Sequence, residues 1–89
     1  MEKTKQVISS HIKEIKKRFA VKNIGVFTLG DNLYVLVEFL TRRLNFDNYM
    51  DLKFYLEDLI GKRVSLVTRG SIKPIYRDLI FERVEYIGQ

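Results

Sequence analysis

The pattern of apolar and polar positions is strongest between residues 24 and 39, IGVFTLGDNLYVLVEF, where two apolar runs, Ile24–Leu29 and Leu33–Phe39, flank Gly30-Asp31-Asn32. The runs are rich in Val, Phe, Leu and Tyr, which suit a pleated, buried surface. The residues of the break tolerate positive φ, so the pattern predicts a tight β-hairpin. Only Glu38 interrupts the apolar stretch Val35–Phe39. A strand of that kind is covered on both faces, which implies a central strand with helices packed on it.

Elsewhere the apolar residues recur at helical spacing. Between residues 3 and 19, Val7, Ile8, Ile12, Ile15 and Phe19 fall on one face and predict one amphipathic helix. Lys5, Lys13, Lys16 and Lys17 lie largely off that stripe, and His11 flanks it. Residues 20–23 read as a connection into the first strand, and residues 40–46 as a loop holding the adjacent pair Arg42 and Arg43. From Asp47, a residue able to cap a helix start, to Ile60 the spacing predicts a second helix. Tyr49, Leu52, Leu56 and Leu59 form its main buried stripe. Met50, Phe54, Tyr55 and Ile60 widen the apolar surface beyond what a one-sided helix needs. That excess marks Met50, Phe54 and Tyr55 as a candidate partner interface. Gly61 ends the helix.

Residues 63–68, RVSLVT, predict a third strand, joined to strand 33–39 through the helix in a parallel βαβ unit. Arg69-Gly70-Ser71 reads as a turn. Pro74 can open a helix because its missing N–H is not needed there, and helix 74–82 is expected to face inward with Ile75, Leu79 and Ile80. Residues 84–87 complete the chain as an edge strand. The fold class is α/β (α+β): one domain over residues 1–89, a small mixed sheet with helices packed on it.

Composition narrows the chemistry. The 89 residues are 46% hydrophobic and 30% charged, the balance of a globular protein rather than a disordered one. There is no cysteine and His11 is the one histidine, which excludes thiolate chemistry and a His/Cys metal cluster. No apolar run approaches the roughly 18 residues of a membrane span, and the opening MEKTKQ lacks a signal-peptide core. The expectation is a cytoplasmic protein. A net charge of +5 favours acidic partners and leaves open a basic nucleic-acid-binding module. Against it, no nucleic-acid motif is present and aromatics are not interleaved with the basic residues as stacking requires. The arginine pair can hold a phosphate or a carboxylate, or simply be solvated.

Four words of the sequence, in order, are similar to one family. KRFAVKNIGVF (17–27) resembles a lead into a first strand. LYVLVEF (33–39) resembles a second strand whose start carries an Asp-x-Asp pair. YLEDLIGKRVSLVTRGSIKP (55–74) resembles a third strand with its turn, and YRDLIFERVEYI (76–87) a final helix and tail. The family is that of the MntA-like minimal nucleotidyltransferases, in the DNA polymerase β-type superfamily. The resemblance implies that fold. It also implies a Gly-Ser turn cradling nucleotide phosphates and three carboxylates holding two Mg²⁺ ions for in-line transfer. The family commonly pairs with HEPN-domain proteins as toxin–antitoxin systems.

The sequence departs from that pattern at the chemistry. Between Phe27 and Asp31 stand only Thr28, Leu29 and Gly30, where the family carries the whole phosphate turn. Its carboxylate positions fall on Asn32, Tyr34 and Ser65. Asp31, Glu38, Arg42 and Arg43 are the candidates for residual nucleotide or metal contacts. Glu38 shares the parity of Asn32 and Tyr34, although it lies roughly 13 Å beyond position 34 at strand rise. The expectation is a nucleotidyltransferase-fold protein without catalysis, metal or cofactor. It would serve as an antitoxin-like or scaffold partner of a HEPN-domain protein, or of itself as a homo-oligomer. The alternatives are an active enzyme moving AMP from ATP, with Mg²⁺, to protein or RNA, and the nucleic-acid module.

Overall fold

The computed structural model describes residues 2–40 and 46–88. The elements are α1 (Glu2–Ser10), α2 (Ile12–Phe19), β1 (Val21–Leu29), β2 (Asn32–Phe39), α3 (Phe46–Ile60), β3 (Ser65–Thr68), α4 (Pro74–Arg83) and β4 (Glu85–Ile87). A 3₁₀ turn, Arg69–Ser71, stands between β3 and α4. The strands form one sheet in the order β3-β2-β1-β4. β1 pairs antiparallel with β2 and β4, whereas β2 and β3 run parallel across α3. This is the mixed sheet and βαβ crossover that the sequence predicts.

The hairpin is tight. Leu29 pairs with Asn32, leaving Gly30 and Asp31 as the loop, with Gly30 at φ 61°. A positive φ at the first central residue matches the twist of the flanking strands at no steric cost to glycine. β2 is covered on both sides, as expected. Leu33, Val35 and Val37 join Ile8, Ile15, Phe19, Leu52 and Leu56 in the main core. Leu36 joins Phe27, Ile72 and Ile80 in a smaller core beneath α4.

Three expectations about elements are corrected. The helix over residues 3–19 is two helices, broken at His11, which sits at φ −115°, ψ 13°. The Ser10 hydroxyl donates to the Gln6 carbonyl and His11 Nδ1 donates to the Val7 carbonyl, so side chains compete with the backbone for acceptors of the ladder.

Residues 21–23 are strand, not connection. The register slips between Val21 and Asn23, so Lys22 is a bulge, and a bulge shifts strand parity by one. Val21 and Ile24, three positions apart, are therefore both buried in the same core, while Lys22 points to solvent.

Finally, α4 buries Ile80 alone of the three residues expected inside: Ile75 is 82% exposed and Leu79 41%. A short helix against the small second core has room for a narrow stripe only, and Phe81 and Val84 supply the rest of its packing.

β4 is only three residues long, and it is held by close backbone approach. A Cβ on Gly25 would lie 2.7 Å from Val84 Cγ2, 3.2 Å from the Glu85 carbonyl oxygen and 3.3 Å from Tyr86 Cδ1. The Gly25→Val variant is expected to lose about 1–3 kcal/mol through overpacking. Thermal melting together with amide exchange at residues 85–87 checks this, because the damage should concentrate in β4.

Candidate functional site

β2 and β3 bring together Asn32, Tyr34 and Ser65, the positions on which the resemblance places the family's carboxylates. Tyr34 pairs with Ser65 across the parallel ladder, and Asn32 stands two residues before Tyr34 on the same face of β2, since strand side chains alternate. The site the resemblance points to is therefore a real juxtaposition at the loop end of the hairpin. Its donors are an amide, a phenol and a hydroxyl.

The Tyr34 ring lies against Phe27, centroids 5.1 Å apart and planes 7° from parallel, and packs on the second core. Mg²⁺ asks for octahedral oxygen ligands that usually include carboxylates. The residues at these positions do not fit it. Among the described residues, no cluster of three or more His, Cys, Asp or Glu is placed to hold a metal ion.

The candidate substitutes are scattered. Asp31 lines an open cleft of about 370 Å³ with Asn32 and Ser65. Glu38 lies at the other end of β2, seven residues on and about 23 Å away at strand rise, so the two acids cannot share an ion. Glu38 is also engaged: Lys22 Nζ is 3.6 Å and Arg69 Nη1 3.2 Å from its carboxylate. Arg42 and Arg43 lie outside the described residues.

The cleft also contains Lys53, Lys62 and Arg63, cations that reading for acidic motifs passes over. The signal was the Lys62-Arg63 pair directly after Gly61, the helix terminator with φ 82°. Glu57 joins the cleft too, but its carboxylate accepts the Val64 N–H at 3.1 Å and so fixes the entry to β3.

On the other face of the sheet, α3 carries the apolar excess expected of it. Phe46 is 70% and Phe54 53% exposed, and Met50 is half-buried between them. Four-residue spacing puts the three on one side of the helix. Tyr55 lies elsewhere. Its ring is tilted on Phe19 with centroids 5.3 Å apart, and its hydroxyl donates to Glu14 at 3.0 Å. Phe46 was missed because it stands before the apparent cap Asp47, where the sequence reads as loop.

The Tyr55 phenol is held protonated above its usual 10.0, first by burial, then by the hydrogen bond to the Glu14 carboxylate and that group's charge; Arg18 works the other way. A raised folded-state pKa means the native state keeps a proton that the unfolded chain gives up. The associated stability is present below about pH 10 and lost as pH rises through the folded value. Tyr55→Phe is expected to flatten the alkaline fall in stability, and urea denaturation from about pH 9 to about pH 11 checks it. An unchanged slope would place the titrating group elsewhere.

The basic residues of the first two helices are partly spent on internal contacts. Lys16 Nζ donates to the Gly88 carbonyl at 3.0 Å, Lys5 pairs with Glu85 at 3.3 Å, and Arg18 lies over the Phe19 and Tyr55 rings. Among the described residues no helix is long and apolar enough to cross a membrane.

A four-stranded mixed sheet, a parallel crossover through α3 and helices on both faces define a nucleotidyltransferase-type domain, and comparison with known proteins agrees. No family model matches the chain. The protein adenylyltransferase MntA of Thermococcus cleftensis is 32% identical over 95 residues, covering 98% of this chain and 95% of that protein. A provisionally named protein adenylyltransferase of Methanocaldococcus jannaschii is 32% identical over 92 residues, covering 93% of each. Among solved structures, one assigned as a minimal nucleotidyltransferase superposes with a TM-score of 0.73 at 23% identity, covering 93% of this chain and 92% of that one. The MNT antitoxin of Shewanella oneidensis, solved in complex with a tri-AMPylated HEPN toxin, superposes at 0.68 with 14% identity, over 92% of this chain and 70% of that one. The chain belongs to the MntA-like minimal nucleotidyltransferase family.

Proposed function

We propose that this protein is a non-catalytic member of its family that acts by binding a HEPN-domain protein, as an antitoxin-like or scaffold subunit. The observation that carries the reading is that Asn32, Tyr34 and Ser65 stand where the resemblance places the family's carboxylates, with the Tyr34 ring stacked on Phe27. Neutral oxygens do not supply the charge that holds Mg²⁺ on a nucleotide. The alignment to the Thermococcus relative supports it as well. At 95 positions it is longer than this 89-residue chain, so the relative has residues with no counterpart here, in keeping with a missing phosphate turn. The partner comes from the Shewanella complex, an MNT antitoxin with its HEPN toxin. The exposed stripe Phe46–Met50–Phe54 offers the apolar centre that such an interface needs.

A second reading rests on the cleft that joins Asp31, Asn32 and Ser65 to Lys53, Lys62 and Arg63. Its cations could take nucleotide phosphates, and the curated relatives are named for adenylyl transfer. One experiment separates the readings. The purified protein is mixed with ATP labelled in its α-phosphate, Mg²⁺ and a HEPN-domain partner. Heat of ATP binding is measured in parallel.

A stable complex with no label on the partner and no saturable, Mg²⁺-dependent ATP binding is the expected result. Label on the partner that disappears with Asp31→Asn would establish the enzyme instead. Failure of any complex to form, with self-association of the chain in sedimentation, would replace the HEPN partner by a second copy.

A further inference from the structure

Beside α4 the second core opens into a surface pocket. Phe27, Tyr34, Val67, Ile72 and Ile80 line a half-open pocket of about 260 Å³, together with the exposed residues Tyr76 and Lys73. Phe27, Ile72 and Ile80 are buried, while Tyr76 and Lys73 are exposed. Among the described residues no carboxylate lines the pocket, and Lys73 is its one charged residue. Among the described residues Lys73 makes no ion pair.

An enclosed apolar cavity of about 150 Å³ takes one benzene ring, so a half-open pocket of this volume has room for a fused two-ring compound with one edge at the solvent. The stacked Phe27 and Tyr34 rings give such a compound a flat aromatic surface to lie beside, and aromatic rings favour offset stacking there. The walls offer few free hydrogen-bond partners, because the Ser71 hydroxyl that lines the pocket donates to the Thr68 carbonyl at 2.8 Å and accepts from the Thr68 N–H. A polar heterocycle such as adenine would leave its ring edges unsatisfied there, at a cost an apolar ring does not incur. The lysine at the mouth, with no acid to neutralise it, favours one negative group at the outer end of the ligand.

We propose that this pocket is a binding site for a small, flat, apolar ring compound carrying a single carboxylate, its rings beside the Phe27–Tyr34 stack and its carboxylate on Lys73. The site is independent of the HEPN reading, because it uses the face of the sheet opposite α3. It needs neither Mg²⁺ nor the family's carboxylates.

The probe is 2-naphthoate, titrated into the full chain and followed by amide NMR shifts and by thermal melting. The expected result is saturable binding that raises the melting temperature, with shifts concentrated at residues 27, 34, 67, 72 and 80. Lys73→Ala, an exposed change, should weaken 2-naphthoate about tenfold, which is about 1.4 kcal/mol, and leave the neutral 2-naphthamide unchanged.

Val67→Phe should fill the space and abolish binding of both compounds. If that variant melts below the unmodified chain, the shift map alone decides. Shifts on β1, β2 and α4 support the site, and shifts on the Phe46–Phe54 stripe overturn it. No saturable shift at millimolar 2-naphthoate, or equal loss of both compounds with Lys73→Ala, would also overturn the proposal.

Discussion

A chain carrying both Phe46→Ala and Phe54→Ala is expected to lose about a hundredfold in affinity for the proposed HEPN-domain partner while folding as before. Both rings stand largely in solvent, 70% and 53% exposed, so their removal takes little from the core, and surface substitutions generally stay within about 0.5 kcal/mol of neutral. At an interface the same rings become anchors. A buried aromatic hot spot contributes at least about 2 kcal/mol, and about 2.8 kcal/mol corresponds to a hundredfold in affinity. Isothermal titration of variant and parent against the same partner gives the affinity, and a melting curve gives the stability. Unchanged affinity would move the interface off this stripe. Tyr55→Ala gives the contrasting result, since that ring packs on Phe19 and bonds to Glu14: it should cost stability before it costs affinity.

Leu56→Ala is expected to have the largest effect on the fold, about 2–5 kcal/mol. Leu56 is fully buried and belongs with Leu52 to the main core, where α3 meets Ile8, Ile15 and the inner face of the sheet. Truncation there leaves a cavity that elements on several sides would have to collapse to fill. A domain of this size holds a total of about 5–15 kcal/mol, so the variant should melt well below the parent or fail to accumulate. Urea denaturation followed by circular dichroism measures the difference. A loss below about 1 kcal/mol would mean that the α3 core repacks more freely than close packing allows.

Most of the scaffold was legible because it follows local rules. The two runs Ile24–Leu29 and Leu33–Phe39 around a Gly-Asp break have one low-energy solution, a hairpin. The length of 47–60 between two strands makes the parallel crossover the natural connection. The pairing of Tyr34 with Ser65, by contrast, needed the register in which β2 and β3 run parallel. Two of the misreadings occur where side chains compete with the backbone or where a strand slips by one. Ser10 and His11 take carbonyls that a continuous helix would have used, and nothing in the apolar spacing of Val7, Ile8, Ile12 and Ile15 records that. Lys22-Asn23 reads as a polar interruption, yet a bulge absorbs Lys22 and keeps both Val21 and Ile24 inside.

By itself, then, the sequence determined the hairpin, the helix between two strands and their parallel connection, because each depends on contacts between near neighbours in the chain. The tertiary structure alone decided what the residues of the candidate site face. Phe27 and Tyr34 become a stacked pair only through the antiparallel register of β1 and β2. Lys53, Lys62 and Arg63 meet Asp31 and Ser65 in one cleft only because α3 returns the chain beside the hairpin loop. Ile75 and Leu79 point outward because the second core is too small to cover them. Periodicity tells which side chains share a face, but which face is covered depends on how much protein there is to cover it.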